Sequence, residues 1–366
     1  MKYIICGQVL SETIEQRINE TSPASGKYLR NIISALENNG FTTRVVTYLP
    51  FAGAEEIVKN DSSVRAHEFI FKGKNLIKTR IRYQRKIIKL AVAGDCVIFY
   101  NLSYIDWGLV NYLNRRKVKS ILILADHTRY DEEKSISRKV FAYINEKEYQ
   151  QFNNVIILSE NSARYLKPKC NVLVMEGGIN RDLYKDFVAP CQSEITRFMY
   201  AGLLSDVTGV DILLKAIEMF QGQNVEFIIC GKGRLSNTVE EAASKDKRIH
   251  FIGYVSNDEY LHLLSKSNIV INPRNMDLDQ NKNNFPSKVL EYLASGRPII
   301  STKFPGYQRF EGNITFYDNK PELLAAEIEK ACGFDNEIYN NVFKKNRYKA
   351  VEFDWNTQIL RIINNF

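Results

Sequence analysis

The part of the chain richest in anion-binding groups runs from Asn272-Pro273-Arg274 to Asn284-Phe285-Pro286-Ser287-Lys288-Val289-Leu290-Glu291-Tyr292. A helix is expected to open after Asn284 or Phe285, with Pro286 in its first turn, where a missing N–H costs nothing. Ser287 and Lys288 then bring a hydroxyl, an amide and a cation to the positive end of the helix dipole, a ready place for phosphate. Glu291 follows one turn later and shares a helical face with Ser287. A carboxylate there can accept hydrogen bonds from both hydroxyls of a ribose while the helix start holds phosphates. Taken singly, Glu291 reads as well as an exposed residue on a capped helix. Arg274 stands just after a strand, Ile269–Ile271, and adds a second cation.

In the first half, Asp126 and His127 follow the strand candidate Ser120–Leu124. Ligands of doubly wound folds gather at the carboxyl ends of parallel strands, so this pair is placed to meet an acceptor or a transferred group. A histidine capping a neighbouring helix is the alternative. The six cysteines, Cys6, Cys96, Cys170, Cys191, Cys230 and Cys332, form no Cys-x-x-Cys pair, and the four histidines show no ligand spacing. The cysteines read as reduced core thiols, and no metal site is expected.

Short apolar, β-branched runs alternating with helical patterns must position these groups. Strands are expected at Tyr3–Cys6, Arg44–Tyr48, Cys96–Tyr100, Ser120–Leu124, Asn154–Leu158 and Val172–Met175. A second set follows at Phe198–Ala201, Glu226–Cys230, Ile249–Phe251, Ile269–Ile271 and Pro298–Ser301. Continuous apolar strands alternating with helices argue for α/β architecture with parallel sheets covered on both faces. The polar, irregular segment Arg181–Ile195 places a domain boundary near Pro190–Ser193. The last stretch, from Tyr348 to Phe366, reads as a helix.

The 366 residues suit two domains, and 45 % hydrophobic with 25 % charged residues is ordinary globular composition. No run reaches the roughly 20 apolar residues of a membrane helix, and the apolar start Tyr3–Cys6 is too short for a signal peptide. A cytoplasmic protein is expected. The net charge is +8. Residues 69–94 carry eight basic residues (Lys72, Lys74, Lys78, Arg80, Arg82, Arg85, Lys86, Lys89) and no acid, with Ile77, Ile81 and Ile88 at helical spacing. Two readings stand open for residues 72–89: an amphipathic helix lying on an anionic membrane surface, or a solvated helix whose apolar stripe meets the core. Nucleic acid is not expected, since aromatic residues do not interleave with the charges.

Residues 269–305 resemble the donor-site signature of family-4 glycosyltransferases, retaining enzymes of the GT-B fold. The pattern is most similar to a bacterial surface-polysaccharide subgroup with N-P-R … F-P-S-K-x-x-E-Y-x-A-S-G. The resemblance extends to Tyr200-Ala201-Gly202 … Thr208-Gly209-Val210-Asp211, to Ile228-Ile229-Cys230-Gly231-Lys232-Gly233, to Ile249-His250-Phe251-Ile252-Gly253-Tyr254-Val255 and to Ser159 with Met175-Glu176-Gly177-Gly178-Ile179-Asn180. It implies two Rossmann-like domains facing across a cleft. Residues 1–190 would be the acceptor side, with the C-terminal helix 345–366 packing back on it, and 191–344 the donor side. It implies a UDP- or GDP-linked sugar donor, a glycan or lipid-linked acceptor and no metal or other cofactor. By position, Glu291 would hold the donor ribose, and Ser287 and Lys288 the diphosphate. Gly231, Lys232, Tyr254 and Val255 would line the base site. Gly202 belongs to the donor-side glycine loop, while Gly7 and Ser25-Gly26-Lys27 would face the phosphates from the other domain.

The sequence departs from the family at two cations. Leu203 stands where an arginine usually follows Gly202, and Thr208 where a lysine usually precedes Gly209. The first of two usual glutamates is Asn283. Arg274 and Lys288 are the natural substitutes, with Arg297 behind them, because charge-assisted hydrogen bonds are the strong ones for a diphosphate. The same departures leave open a non-catalytic partner subunit of an active transferase. A sugar-nucleotide epimerase on this fold is the other alternative, although no convincing carboxylate set serves it. Asp277-Leu278-Asp279 matches the metal-binding D-x-D of the other main glycosyltransferase fold, but it lies in a loop and is read as a chance match.

Overall fold

The computed structural model describes residues 1–11, 14, 23–51, 53–59, 67–125, 130, 131, 133, 135–278, 281, 282 and 285–366. They divide into two units, Met1–Gly178 with Trp355–Phe366, and Ile179–Asp354. In the first, β1 (Lys2–Cys6), α1 (Pro23–Asn38), β2 (Thr42–Leu49), α2 (Ala54–Lys59), β3 (His67–Phe71) and α3 (Leu76–Leu90) are followed by β4 (Cys96–Tyr100), α4 (Leu109–Arg115), β5 (Lys119–Leu124), α5 (Ile136–Tyr149), β6 (Asn154–Ile157) and β7 (Asn171–Val174). The seven strands run parallel in the order β3-β2-β1-β4-β5-β6-β7. Strand side chains alternate between faces. Ile4, Val97 and Phe99 therefore meet Tyr83 and Ile87 of α3 on one side. Tyr3, Ile5 and Ile98 meet Leu29 and Ile32 of α1 on the other. Burying each such side chain contributes about 1.5–3 kcal/mol, which makes a strand apolar on both faces hard to place anywhere else.

The second unit repeats the scheme with β8 (Thr196–Ala201), α6 (Val210–Met219), β9 (Val225–Cys230), α7 (Ser236–Lys245), β10 (Ile249–Gly253), α8 (Asn257–Lys266), β11 (Ile269–Asn272), α9 (Lys288–Ser295), β12 (Ile299–Thr302) and β13 (Thr315–Tyr317), then α10 (Pro321–Cys332) and α11 (Asn336–Ala350). Its six strands are also parallel, ordered β10-β9-β8-β11-β12-β13. Both units are thus α/β Rossmann-like layers, as the alternating pattern implied.

The structure adds β3 and β13, which the strand reading passed over. Both are edge strands and only partly buried, so neither carries the unbroken apolar run of an inner strand. The units divide at Gly178–Ile179 rather than near Pro190–Ser193, because Ile179 and Tyr184 already belong to the second unit's core. The stretch 348–366 is not one helix. It breaks at Asp354, which bridges to Ile179. Phe353 packs in the second core, whereas Trp355, Ile359 and Ile362 pack against α1 and the first sheet. Only the helix Trp355–Asn365 returns to the first unit. Ser25, Gly26 and Lys27 lie inside α1 instead of in a loop before it. Among the described residues no helix is long and apolar enough to cross a membrane. All six cysteines are unpaired, with Cys6, Cys96 and Cys230 buried.

Candidate functional site

Each sheet reverses its strand order once, between β1 and β4 in the first unit and between β8 and β11 in the second. At such a point the connections leave to opposite faces and a crevice opens at the carboxyl ends of the two strands. A cavity lies at each crevice.

The second unit's cavity, of about 140 Å3, is walled by Tyr200 to Leu203 at the end of β8, by Asn272 and Arg274 at the end of β11, and by Pro286, Ser287 and Lys288 where α9 begins. The start of α9 is held by Phe285, whose buried ring packs 5.3 Å from Phe304 and 5.8 Å from Phe310. The helix begins one step later than the proline suggested. Ser287 takes the cap position, and Pro286 precedes it, its carbonyl accepting from the Val289 amide at 3.0 Å. Ser287 is exposed and its hydroxyl caps nothing in the helix, which leaves it turned to the cavity side of a positive helix end.

Lys288 Nζ lies 2.8 Å from Glu291 Oε2, one turn along, and 3.7 Å from the Tyr260 ring centre. Burial, and after it the Glu291 carboxylate, hold the hydroxyls of Tyr184 and Tyr260 far above the usual tyrosine range. Arg274 is half-buried, and that burial draws its pKa down while nearby Tyr200 opposes it. Its Nε donates to Asn281 Oδ1 at 2.6 Å. Asn281 is fully buried and donates in turn to the carbonyls of Val207 (2.7 Å) and Asn275 (2.6 Å). One amide therefore fixes the guanidinium and ties together the loops that follow β8 and β11. No motif marks Asn281: its role comes from convergence of segments, not from a spacing.

Among the described lining the cations are Arg274 and Lys288. Leu203 is 57 % exposed and brings no charge. The Thr208 hydroxyl lies within hydrogen-bond reach of the Leu203 carbonyl and of the Ser205 carbonyl (2.9 Å), and its one hydrogen closes the turn. Arg297, counted above among the substitutes, is corrected by the structure. It is 1 % exposed and donates to the carbonyls of Ser267 (3.1 Å), Val188 (2.7 Å) and Ser265 (2.6 Å). Its charge is consumed inside the core, where burial pushes its pKa down to about 10.

Two glycines allow the loops to touch. Gly209 has φ +74°, and a Cβ there would lie 1.9 Å from the Pro273 carbonyl oxygen. Gly231 has φ +141°, and its Cβ would lie 1.8 Å from the Gly202 oxygen. Beside this contact, at the ends of β9 and β10, Lys232 Nζ sits 4.8 Å from the Tyr254 ring centre. Gly231, Lys232, Tyr254 and Val255 thus flank the cavity without lining it. Asp277 accepts from Asn319 Nδ2 at 2.9 Å. Asp279, Asn283 and Asn284 fall outside the described residues, as do Asp126, His127 and Arg129.

The first unit's cavity is larger, about 440 Å3, and of different chemistry. Gly7 and Ser25 line it, whereas Gly26 is buried in α1 and Lys27 is exposed. Its walls are aromatic (Tyr48, Tyr83, Tyr100, Tyr104, Phe141) and uncharged polar (Gln8, Asn101, Ser103), with Asp106 as the one ionisable carboxylate and no lysine or arginine among the described lining. Asp106 accepts from Tyr83 Oη (3.0 Å) and from the Ser103 amide (2.9 Å) and hydroxyl (3.1 Å). Burial pushes its pKa up to about 6 against those hydrogen bonds. Tyr48 and Tyr104 share a hydroxyl–hydroxyl bond of 2.6 Å. Sequence reasoning missed this constellation because six separate segments supply it. The usable signal was that Gly7 and Asn101 each follow the end of an inner strand.

Comparison with known proteins accords with these crevices. Residues 195–333 match the family model described as Glycosyl transferases group 1. No curated protein gives a significant match. Among solved structures, Anabaena Alr3699/HepE in complex with UDP is 15 % identical with a TM-score of 0.73, covering 100 % of both chains. A glycosyltransferase from Rickettsia africae is 16 % identical at TM-score 0.71, over 99 % of this chain and 97 % of that one. The lipopolysaccharide outer core galactosyltransferase WaaB is 14 % identical at TM-score 0.67, over 100 % and 99 %. At such identities the likeness shows the fold. Together with the group 1 domain at 195–333, the findings support a glycosyltransferase of the GT-B type.

Proposed function

We propose that the protein transfers a sugar, with retention, from a UDP- or GDP-linked donor to a glycan or lipid-linked acceptor, in the manner of the bacterial surface-polysaccharide family-4 enzymes. The observation that carries this is the second unit's cavity, where Arg274, Lys288 and the exposed start of α9 converge. In this reading Arg274, Lys288 and Ser287 hold the diphosphate. Glu291 releases Lys288 to it and accepts from the donor ribose. Gly231, Lys232, Tyr254 and Val255 meet the base, and Gly202 gives the backbone room to approach. The diphosphate leaves as the acceptor hydroxyl approaches from the same face, and a departing phosphate oxygen takes the proton. The two cations stabilise the charge that develops, which is the largest service such a site can render, and no metal ion is called for. Asp126 and His127 would meet the acceptor or the transferred sugar.

The first unit's cavity suits an acceptor sugar. Aromatic faces pack on C–H faces of a pyranose, and amides and hydroxyls bond its hydroxyls; no lysine or arginine stands among the described lining to favour phosphate instead. The basic helix α3 would bring the protein to the inner face of a membrane, where lipid-linked acceptors reside, with the rest of the chain in the cytoplasm. The test is incubation with labelled UDP- and GDP-sugars and a panel of glycan and lipid-linked acceptors, with the product anomer read by NMR. Transfer with the donor's anomeric configuration is expected; the opposite configuration would overturn retention. A second reading, a non-catalytic partner subunit, is favoured by Leu203 and Thr208 standing in place of two cations. Failure to bind any donor would select it.

A further inference from the structure

Of the isoleucines that its sequence spacing picks out, helix α3 packs Ile88 partly against the core and leaves Ile77 and Ile81 exposed. Its core-facing stripe is Thr79, Tyr83 and Ile87. Ile77 is 71 % exposed, with Leu76 and Ile81 exposed beside it. An apolar row in the first turns of a charged helix therefore points outward. Helix α5 repeats the arrangement: Ile136 is 82 % and Val140 54 % exposed, four residues apart on one face, with Arg138 and Lys139 between them. Single exposed apolar residues need no explanation, but two rows at helix starts do.

The rows lie at one edge. In a parallel sheet each strand ends at the same side, so the helices that follow β3 and β5 both begin at the carboxyl edge, where the 440 Å3 cavity opens. The segment after β4 links them. Gln84 of α3 donates to the Ile105 carbonyl at 2.9 Å, Trp107 Nε1 donates to Asn145 of α5 at 2.8 Å, and the Trp107 ring sits 5.5 Å from Phe141, itself a wall of the cavity. Charge accompanies the apolar rows. Lys78, Arg82, Arg85 and Lys89 are exposed along a groove beside Ile81, and the acid in that groove, Glu68, is already paired with Lys86 at 2.7 Å.

We propose that this edge of the first unit is a docking face for an anionic phospholipid bilayer. The starts of α3 and α5 insert Leu76, Ile77, Ile81, Ile136 and Val140, and the α3 cations meet lipid phosphates. Apolar rows alone would suit a second copy of the chain; the unopposed cations along α3 select an anionic surface instead. Docked so, the aromatic cavity opens toward the headgroup layer and receives a sugar presented on a lipid. The inference deepens the lipid-linked acceptor reading and rests on it for what enters the cavity, whereas bilayer binding itself requires no sugar transfer.

The test is co-sedimentation of the full chain with vesicles of phosphatidylcholine alone and of phosphatidylcholine with one-third phosphatidylglycerol, with UDP binding measured on the same samples. Binding to the mixed vesicles, weakened by salt, is expected. Lys78→Gln with Arg85→Gln should lower the vesicle partition coefficient about 30-fold, since each cation near such a surface is worth roughly fivefold. Ile136→Ser with Val140→Ser should lower it by about tenfold, and both variants should keep the parent's melting temperature and nucleotide binding. Equal binding to both vesicle types, or an Ile136→Ser/Val140→Ser variant that binds like the parent, would overturn the proposal. A solution dimer lost in that variant without vesicle binding would assign the face to a second copy. Loss of UDP binding in the parent would instead fault the donor site and leave the face standing.

Discussion

Replacing Arg274 with alanine removes a half-buried cation from the second unit's cavity, the proposed donor site. Its Nε is committed to Asn281 Oδ1 at 2.6 Å, and the terminal nitrogens make no further hydrogen bond among the described residues. Two charge-assisted bonds from those nitrogens to phosphate oxygens are worth about 1.5–3 kcal/mol each. Lys288 lines the same cavity and takes up part of the load, so the low end of the sum, about 3 kcal/mol, is the fair expectation. That is a loss of about 150-fold in kcat/KM for donor consumption. The diphosphate gains charge as the sugar leaves, so kcat should fall more than KM rises. Arg274→Lys keeps the charge but not the fork that can hold Asn281 and phosphate together, and should fall between parent and alanine. The assay is release of free nucleotide from the donor by a coupled enzyme, with unfolding curves to confirm an intact fold. Turnover within threefold of the parent for Arg274→Ala would refute the role assigned to this cation.

Gly231→Ala places a Cβ 1.8 Å from the Gly202 oxygen at φ +141°. Strain and the forced parting of two loops should cost about 3 kcal/mol in urea unfolding and weaken nucleotide binding; a stable variant with parent affinity would show that the loops are not locked. Asp106 gives a pH signature. Its folded pKa of about 6 stands above the ordinary 3.8, so its contribution is fully present below the unfolded pKa and is lost as pH rises through about 6. The gap is worth about 3 kcal/mol. Asp106→Asn should therefore gain stability over the parent above about pH 6, and the difference should shrink toward about pH 4; a difference independent of pH would contradict the buried, unpaired carboxylate.

The inner strands were legible because burial on both faces demands an unbroken apolar run, and Cys96–Tyr100 appears in the structure with the bounds the sequence implied. Edge strands β3 and β13 were not, since half of each faces away from the core and relaxes that demand. The string Ser287, Lys288 and Glu291 was readable as one helix start because a single helix carries all three. Asn281 and Asp106 were unreadable for the opposite reason: beside a local partner each has a distant one, Val207 in one case and Tyr83 in the other, that only the fold brings to it. The isoleucine spacing of α3 left open which way the stripe faces: Ile77 and Ile81 are exposed, whereas Ile88 packs partly against the core.

The most direct test of the donor site is calorimetric titration of the purified chain with UDP, GDP and their common sugar conjugates, repeated on Glu291→Ala. The account predicts that one nucleotide binds and that its affinity drops in the variant, because the ribose loses its carboxylate acceptor. Binding unchanged in Glu291→Ala would place the nucleotide elsewhere, and no binding of any nucleotide by the parent would contradict the transferase reading and leave a partner subunit in its place.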